Sequence, residues 1–275
     1  MSPEGLAPRR ARLAPALRHL ALFRSPVELA RYLRLRSAYT RGHPSPEPLT
    51  LHLRAVGNRP LLCRGSQDVW TLRDTFVRQY HLPPAPLPND AVIVDLGSNV
   101  GYTVAHLAHL HPRARVVGVE LDEANHRLAV RNTEAFGARV TILHAGIWTS
   151  DGVVAYDGSG DDAFAIIAAA ADATASAVPA TSDATRRQAP ALRLETLFER
   201  FGLARVDYLK MDIEGAEGAI LAGPLAWAER VRALKLEVHP PVSAAWCSER
   251  LTAAGFRCRP DPAHPQGVIA ERPPA

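Results

Sequence analysis

Val92-Ile93-Val94-Asp95-Leu96-Gly97-Ser98-Asn99-Val100-Gly101 decides the fold. Ala91–Leu96 is a near-continuous apolar run, the pattern of a strand buried on both faces. An acid closes the strand, Gly97 opens a tight turn, and Tyr102–Leu110 reads as helix. The rhythm then repeats. Arg115–Val119 is a second strand ending at Glu120, Glu123–Phe136 a helix stopped by Gly137, and Val140–His144 a third strand. Further along come a helix at Leu194–Phe201, a strand at Val206–Met211, a helix at Ala216–Leu221 and a fifth strand at Val231–Val238. A helix at Ser243–Ala254 precedes Phe256–Arg259 and Gly267–Ala270, which pair as a terminal antiparallel hairpin. Alternating strands and helices predict an α/β fold, a mostly parallel sheet with helices on both faces.

The spacing Gly97-x-x-x-Gly101 is not the G-x-G-x-x-G of dinucleotide folds. Gly97 lets a ligand approach the backbone, and Gly101 lets the helix pack closely. Ser98, Asn99, Gly101 and Tyr102 lie where helix-start N–H groups suit an anion, such as the carboxylate of S-adenosylmethionine. Asp95 suits that cofactor's ammonium end, or orders the turn. Glu120 can accept both ribose hydroxyls. Leu121, Asn125, Ala145 and Gly146 fall at the same carboxyl edge, the last two small enough for an adenine ring. A nicotinamide dinucleotide would use the same acid, so Glu120 does not separate the two cofactors.

Upstream, residues 1–45 read as one or two short helices, 49–56 as a half-buried strand, Pro60–Cys63 as its return and 70–80 as helix. The prolines at 83, 84, 86 and 88 place a boundary there, with an α+β extension and substrate-side cap over 1–88 and the main domain over 89–275. Residues 151–190 break the rhythm. They are turn-rich, then Ala/Ser/Thr-rich over 160–188, and predict a mobile surface insertion.

Net charge is +4, but Arg9, Arg10, Arg12, Arg18, Arg24, Arg31, Arg34, Arg36 and Arg41 face only Glu4 and Glu28 in residues 1–41. A solvated amphipathic lead-in explains this, since basic and aromatic residues do not interleave as a nucleic-acid platform requires. Three cysteines without a C-x-x-C pair argue against a disulfide framework or a zinc site. No apolar run approaches the roughly 20 residues of a membrane helix. Arginines interrupt every apolar stretch of a would-be leader. The expectation is a cytosolic protein with no membrane span.

Leu209-Lys210-Met211-Asp212-Ile213-Glu214-Gly215-Ala216-Glu217 crowds three acids and a lysine around a strand end. Such charge needs a cation nearby, whether a sulfonium, a metal ion or Lys210. This stretch, with Asp95–Tyr102, Leu236-Glu237-Val238-His239 and Ser66–Trp70, resembles the FkbM family of methyltransferases over about residues 60–240. The resemblance implies a Rossmann-like class I methyltransferase fold, with a seven-stranded sheet ending in an antiparallel hairpin, and S-adenosylmethionine as cofactor. It also implies O-methylation of a small hydroxylated molecule such as a natural product or a sugar. Asp212, at a strand end facing the methyl group, is the first candidate for general base, with His239 second. Glu214 and Glu237 are supporting acids, and Lys210 orients the substrate or offsets the acids. The bland readings are a backbone-bonded strand-end histidine for His239 and dipole-complementing acids for Glu214 and Glu217. Asp212, Glu237 and His239 are also compatible with Mg2+. A nicotinamide oxidoreductase, a non-catalytic scaffold and an RNA methyltransferase are the rival readings.

Overall fold

The structure is a computed structural model that describes residues 21–158, 165–169 and 186–273. Arg9, Arg10, Arg12, Arg18 and most of the Ala-rich 160–188 stretch lie outside the described residues.

The chain forms two compact units, Met1–Gln79 and Tyr80–Ala275. In the first, Ser25 caps α1 (Pro26–Thr40) through the Glu28 N–H, with proline at the helix start. β1 (Ser45–His52) pairs antiparallel with β2 (Pro60–Gly65). The first strand ends before the expected residue 56, because Arg54–Val56 curl into a 3-10 turn closed by left-handed Gly57. α2 (Asp68–Arg73) continues into a π-helical turn at Asp74–Arg78. Tyr32 anchors this unit, its buried hydroxyl donating to the Val69 carbonyl at 2.8 Å.

The second unit starts at Tyr80, before the proline run, and its own hydrogen bonds explain why. The Tyr80 carbonyl accepts from Lys235 Nζ at 2.8 Å, and the His81 carbonyl accepts from the Tyr208 hydroxyl at 2.8 Å. In chain order follow β3 (Val92–Leu96), α3 (Tyr102–Leu110), β4 (Arg115–Glu120), α4 (Glu123–Thr133) and β5 (Val140–His144). Next come β6 (Gly146–Ile147), β7 (Gly152–Asp157), β8 (Ile166–Ala169) and β9 (Arg186–Leu192). The unit closes with α5 (Leu194–Arg200), β10 (Tyr208–Met211), α6 (Glu217–Ala222), β11 (Ala233–Glu237), α7 (Ala244–Ala253), β12 (Arg257–Pro260) and β13 (Gly267–Glu271).

The main sheet has seven strands in the order β12-β13-β11-β10-β3-β4-β5. β13 runs antiparallel to both its neighbours, β11 and β12; the β10–β11, β10–β3, β3–β4 and β4–β5 pairs are parallel. The terminal hairpin is therefore present, but its second strand lies inside the first, against β11. This is the arrangement that the resemblance implies. The chain builds outward from β3 to β5 on one side, then returns to β10 on the other. That makes the carboxyl ends of β3 and β10 a topological switch point, where open α/β sheets bind ligands.

The segment after β5 departs from expectation. Its described parts form a second sheet in the order β6-β9-β7-β8. Val154, Tyr156, Ala189 and Ala191 are buried, so these flanks belong to the packed structure. The turn-rich composition hid Val153–Tyr156, a short run of the branched and aromatic residues that favour strands. Among the described residues no helix is long and apolar enough to cross a membrane, and the three cysteines are free.

Candidate active site

The turn after β3 is held from both sides. The N–H groups of Gly97 and Ser98 donate to the Val119 carbonyl at 3.0 and 2.9 Å. Gly97 has φ +77°, and a Cβ there would stand 1.7 Å from the Asp212 carbonyl oxygen. Only glycine lets the ends of β3 and β10 come this close. Gly101 packs against Ala129, where a Cβ would meet the backbone at 2.9 Å. Asp95 is wholly buried and orders the turn: one carboxylate oxygen accepts from the Thr103 hydroxyl, and its carbonyl accepts from Ser98 Oγ at 2.9 Å. The other oxygen has no hydrogen bond and lies 3.7 Å from Lys210 Nζ. Burial raises the Asp95 pKa, opposed by Lys210 and Thr103. A helix start favours an anion, although the Ser98, Asn99 and Gly101 N–H groups expected to meet one are taken by the Val119 carbonyl, Glu120 Oε2 and the Ser98 carbonyl. Tyr102 is 1% exposed, so its ring packs inside and does not face a ligand.

Glu120 sits across the turn. Its Oε2 accepts from the Asn99 N–H at 2.7 Å and its Oε1 from the Asp122 N–H at 2.8 Å. Each oxygen keeps a second lone pair, the requirement for gripping two ribose hydroxyls. Burial pushes its carboxyl up to about 7, against the pull of those amides. Asp122 caps α4 through the Ala124 and Asn125 N–H groups at 2.9 and 3.0 Å. Its second oxygen accepts from Arg187 at 2.7 Å and Tyr156 at 3.3 Å, both carried by the small sheet. Leu121 is half-buried and Asn125 buried at this edge, and the Ala145 N–H donates to the Glu120 carbonyl at 2.9 Å. Gly146 follows directly in β6. The space over its Cα is filled by Leu121, Ile166 and Val154 side chains, 3.1–3.3 Å from a built Cβ. The residues of this shelf fit S-adenosylmethionine: a glycine turn, a helix start and an acid with two spare lone pairs.

The third group lies at the ends of β10 and β11. Lys210 Nζ donates to Asp212 Oδ2 at 2.9 Å. Burial opposes the lysine's charge, but Asp212 and Asp95 outweigh it and hold its pKa well above the ordinary value. Burial likewise works against the Asp212 charge, and Lys210 more than offsets it, so its carboxyl is held below the usual range. Glu217 is buried and folds back on the loop, accepting from the Ile213 and Gly215 N–H groups at 3.0 and 2.9 Å and from His239 Nδ1 at 3.0 Å. His239 Nε2 faces Glu214 at 3.4 Å, Glu237 at 3.8 Å and Asp212 at 4.0 Å. Burial disfavours the charged ring, yet Glu217, Glu214 and Asp212 raise its pKa to about 9. The surrounding acids thus favour the protonated ring, and that proton would have to leave for His239 to act as a base or a metal ligand. The trio whose ligand atoms come within 4.8 Å of one another is Asp212, Glu214 and His239, not the expected set with Glu237. Lys210 and protonated His239 already balance much of this charge, so the cluster does not require Mg2+.

A cleft of about 260 Å3 opens beside Asp212, lined among others by Tyr80, His81, Lys235, Glu237, His264 and Gly267. Burial and Asp212 raise the Glu237 carboxyl to about 7. Tyr80, His81, His264, Thr103, Asp122 and Arg187 carry no local motif. Only the tertiary fold brings them to the site.

Residues 95–258, more than half of the chain, match the model of the methyltransferase FkbM domain. Over 203 residues the chain is 29% identical to AMB antimetabolite synthetase AmbE of Pseudomonas aeruginosa, covering 63% of this chain and 10% of that protein. Over 70 residues it is 37% identical to release factor glutamine methyltransferase of Geobacter sulfurreducens, covering 26% of this chain and 25% of that one. The matched stretches thus span about a tenth and a quarter of those two proteins. Among solved structures, precorrin-6y C5,15-methyltransferase from Geobacter metallireducens is similar at 15% identity and TM-score 0.39, covering 72% of this chain and 88% of that one. Aeropyrum pernix fibrillarin, in complex with natively bound S-adenosyl-L-methionine, is similar at 16% identity and TM-score 0.38, covering 67% of each chain.

Proposed function

The chain belongs to the FkbM methyltransferase family, and from that premise we propose that it methylates a hydroxyl of a small molecule, a natural product or a sugar. S-adenosylmethionine-dependent methyl transfer comes with the family; the acceptor and the residue roles are our reading. One observation carries it. The Gly97 turn and the Asp212 backbone are in direct contact, so a donor held on the turn presents its methyl beside Asp212 and the adjoining cleft.

Bound S-adenosylmethionine supplies a methyl carbon activated by positive sulfur, which leaves as a neutral thioether. Glu120 holds the ribose, while the turn and the α3 start hold the methionine end. Asp212 accepts the hydrogen bond of the acceptor hydroxyl, aligns its oxygen in line with the methyl, and receives its proton. Alignment provides much of the rate, and a positioned base about 10²–10⁴-fold more. Lys210 fixes the direction of the Asp212 carboxylate and keeps it ionised. His239, as a cation locked on Glu217, positions the loop that carries Asp212 and Glu214. The similarity to a segment of an antimetabolite synthetase supports a natural-product setting.

The test is purified protein with the methyl donor and a panel of hydroxylated metabolites and glycosides, read by mass spectrometry. Gain of one methyl on oxygen is expected. Methylation solely of amines or of RNA would overturn the acceptor reading while leaving the family assignment intact.

A further inference from the structure

We infer that the cleft at the carboxyl ends of β10 and β11 is the acceptor subsite, and that it admits uncharged or amine-bearing alcohols while turning away phosphate esters and carboxylates. The inference rests on the methyl-transfer reading above and adds the charge class of the acceptor.

The first ground is charge. Both lysines of the cleft are already committed. Lys210 Nζ is 2.9 Å from Asp212 and 3.7 Å from Asp95. Lys235 Nζ is 2.9 Å from Asp261 and 2.8 Å from the Tyr80 carbonyl. Glu237 has no lysine or arginine in ion-pair contact among the described residues. It is 22% exposed, and its nearest basic groups are imidazole nitrogens of His264 at 3.5 Å and His239 at 3.8 Å. Glu214, 34% exposed at 3.4 Å from His239, adds a further negative charge at the rim. A phosphate or carboxylate entering here meets Asp212, Glu214 and the partly ionised Glu237, while Lys210, Lys235 and His239 are each already paired with acids. Like charges at such range, in a half-enclosed space, repel strongly. An amine or a neutral hydroxyl meets acceptors that suit it.

The second ground is an unsatisfied polar atom. His81 lines the cleft, is 0% exposed, and its Nδ1 has no hydrogen-bond partner. Its Nε2 is paired with His106 Nδ1 at 3.0 Å. Buried polar atoms are rarely left unpaired, and an orphan in a ligand cleft marks a place for a ligand's hydrogen bond. Burial drives the His81 pKa well below its ordinary value, so the ring is neutral and adds no positive charge to attract an anion. A hydroxyl, which both donates and accepts, satisfies either tautomer.

Two measurements test this on the full-length protein loaded with S-adenosylhomocysteine or with the donor. Inorganic phosphate is titrated to tens of millimolar while the ring signals of His81 and His264 are followed by NMR. Both stay unchanged in the parent if the inference holds, and Glu237→Lys gains phosphate binding at least tenfold tighter. Phosphate-induced shifts of those signals in the parent overturn it, whether or not the variant folds. Separately, methyl-labelled donor is incubated with the protein and a small-molecule extract of its source, and the labelled products are passed over an anion exchanger. Label in the unretained fraction supports the inference; label in the retained fraction overturns it. Absence of label from every small molecule, with the donor bound, overturns the small-molecule reading and this inference with it. Failure to bind the donor overturns the family reading instead.

Discussion

Gly97→Ala is the sharpest perturbation the structure offers. The added Cβ would stand 1.7 Å from the Asp212 carbonyl oxygen. An ordinary carbon–oxygen contact is about 3.2 Å or more, so the ends of β3 and β10 must part by roughly 1.5 Å. The obstacle is backbone, which cannot swing aside as a side chain would. Overpacking of this kind costs about 1–3 kcal/mol. The left-handed φ of +77° adds about 1–2 kcal/mol once a Cβ is present. The sum, about 2–5 kcal/mol, is a large fraction of the roughly 5–15 kcal/mol that holds a domain together. Where the variant still folds, donor and Asp212 are misplaced by more than an ångström, which costs about 10²-fold in rate. The assay is denaturant unfolding with S-adenosylhomocysteine calorimetry and single-turnover methyl transfer on the same preparation. Parent-like stability together with parent-like donor affinity and rate would refute the claim that the donor turn and Asp212 share one crowded edge.

Asp212→Asn keeps the shape of the site and removes the proton acceptor. Turnover is expected to fall about 10²–10⁴-fold with donor affinity within a few-fold, and turnover close to the parent's would remove Asp212 from that role. His239 gives a pH signature. Its folded pKa, about 9, lies above the ordinary histidine value of about 6.5, so the stability it contributes is fully present below about 6.5 and is lost as pH rises through 9. Unfolding midpoints measured across that window should decline in the parent and decline less in His239→Gln; parallel curves contradict the imidazolium assignment. Arg187→Ala removes the guanidinium that braces Asp122, the residue whose N–H fixes Glu120. Arg187 is 51% exposed, so screening limits the loss to about 1 kcal/mol, roughly fivefold in donor affinity, with acceptor KM unchanged. A change confined to acceptor KM would instead put the small sheet on the acceptor side.

What the sequence made legible was local. The β3 run, the Gly97 turn and the Glu120 strand end lie within thirty residues, and each follows from hydrophobic pattern and glycine chemistry. The hairpin of β12 and β13 was also visible, because Asp261-Pro262 marks its turn; the insertion of β13 between β11 and β12 was not, since pairing order leaves no periodic trace. The acid–base roles were less accessible. Burial works against a charged His239, but Glu217, 22 residues earlier, reaches back to favour it instead of merely decorating a helix start. Arg187 meets Asp122 across 65 residues, from a segment whose alanine-rich neighbourhood suggested a surface excursion. The packing of Leu121 and Ile166 over Gly146 likewise leaves no trace in the local sequence. Such contacts are products of strand order and burial, which single-strand patterns do not encode.

Calorimetric titration of S-adenosylmethionine into the parent and into Glu120→Ala tests the central claim most directly. The account predicts saturable uptake by the parent and, at a pH above the Glu120 value of about 7, a loss of about 2–4 kcal/mol in the variant from two hydrogen bonds to an ionised carboxylate, roughly 30–1,000-fold in Kd. A parent that takes up no donor, or a variant that binds it as tightly as the parent, would contradict the account.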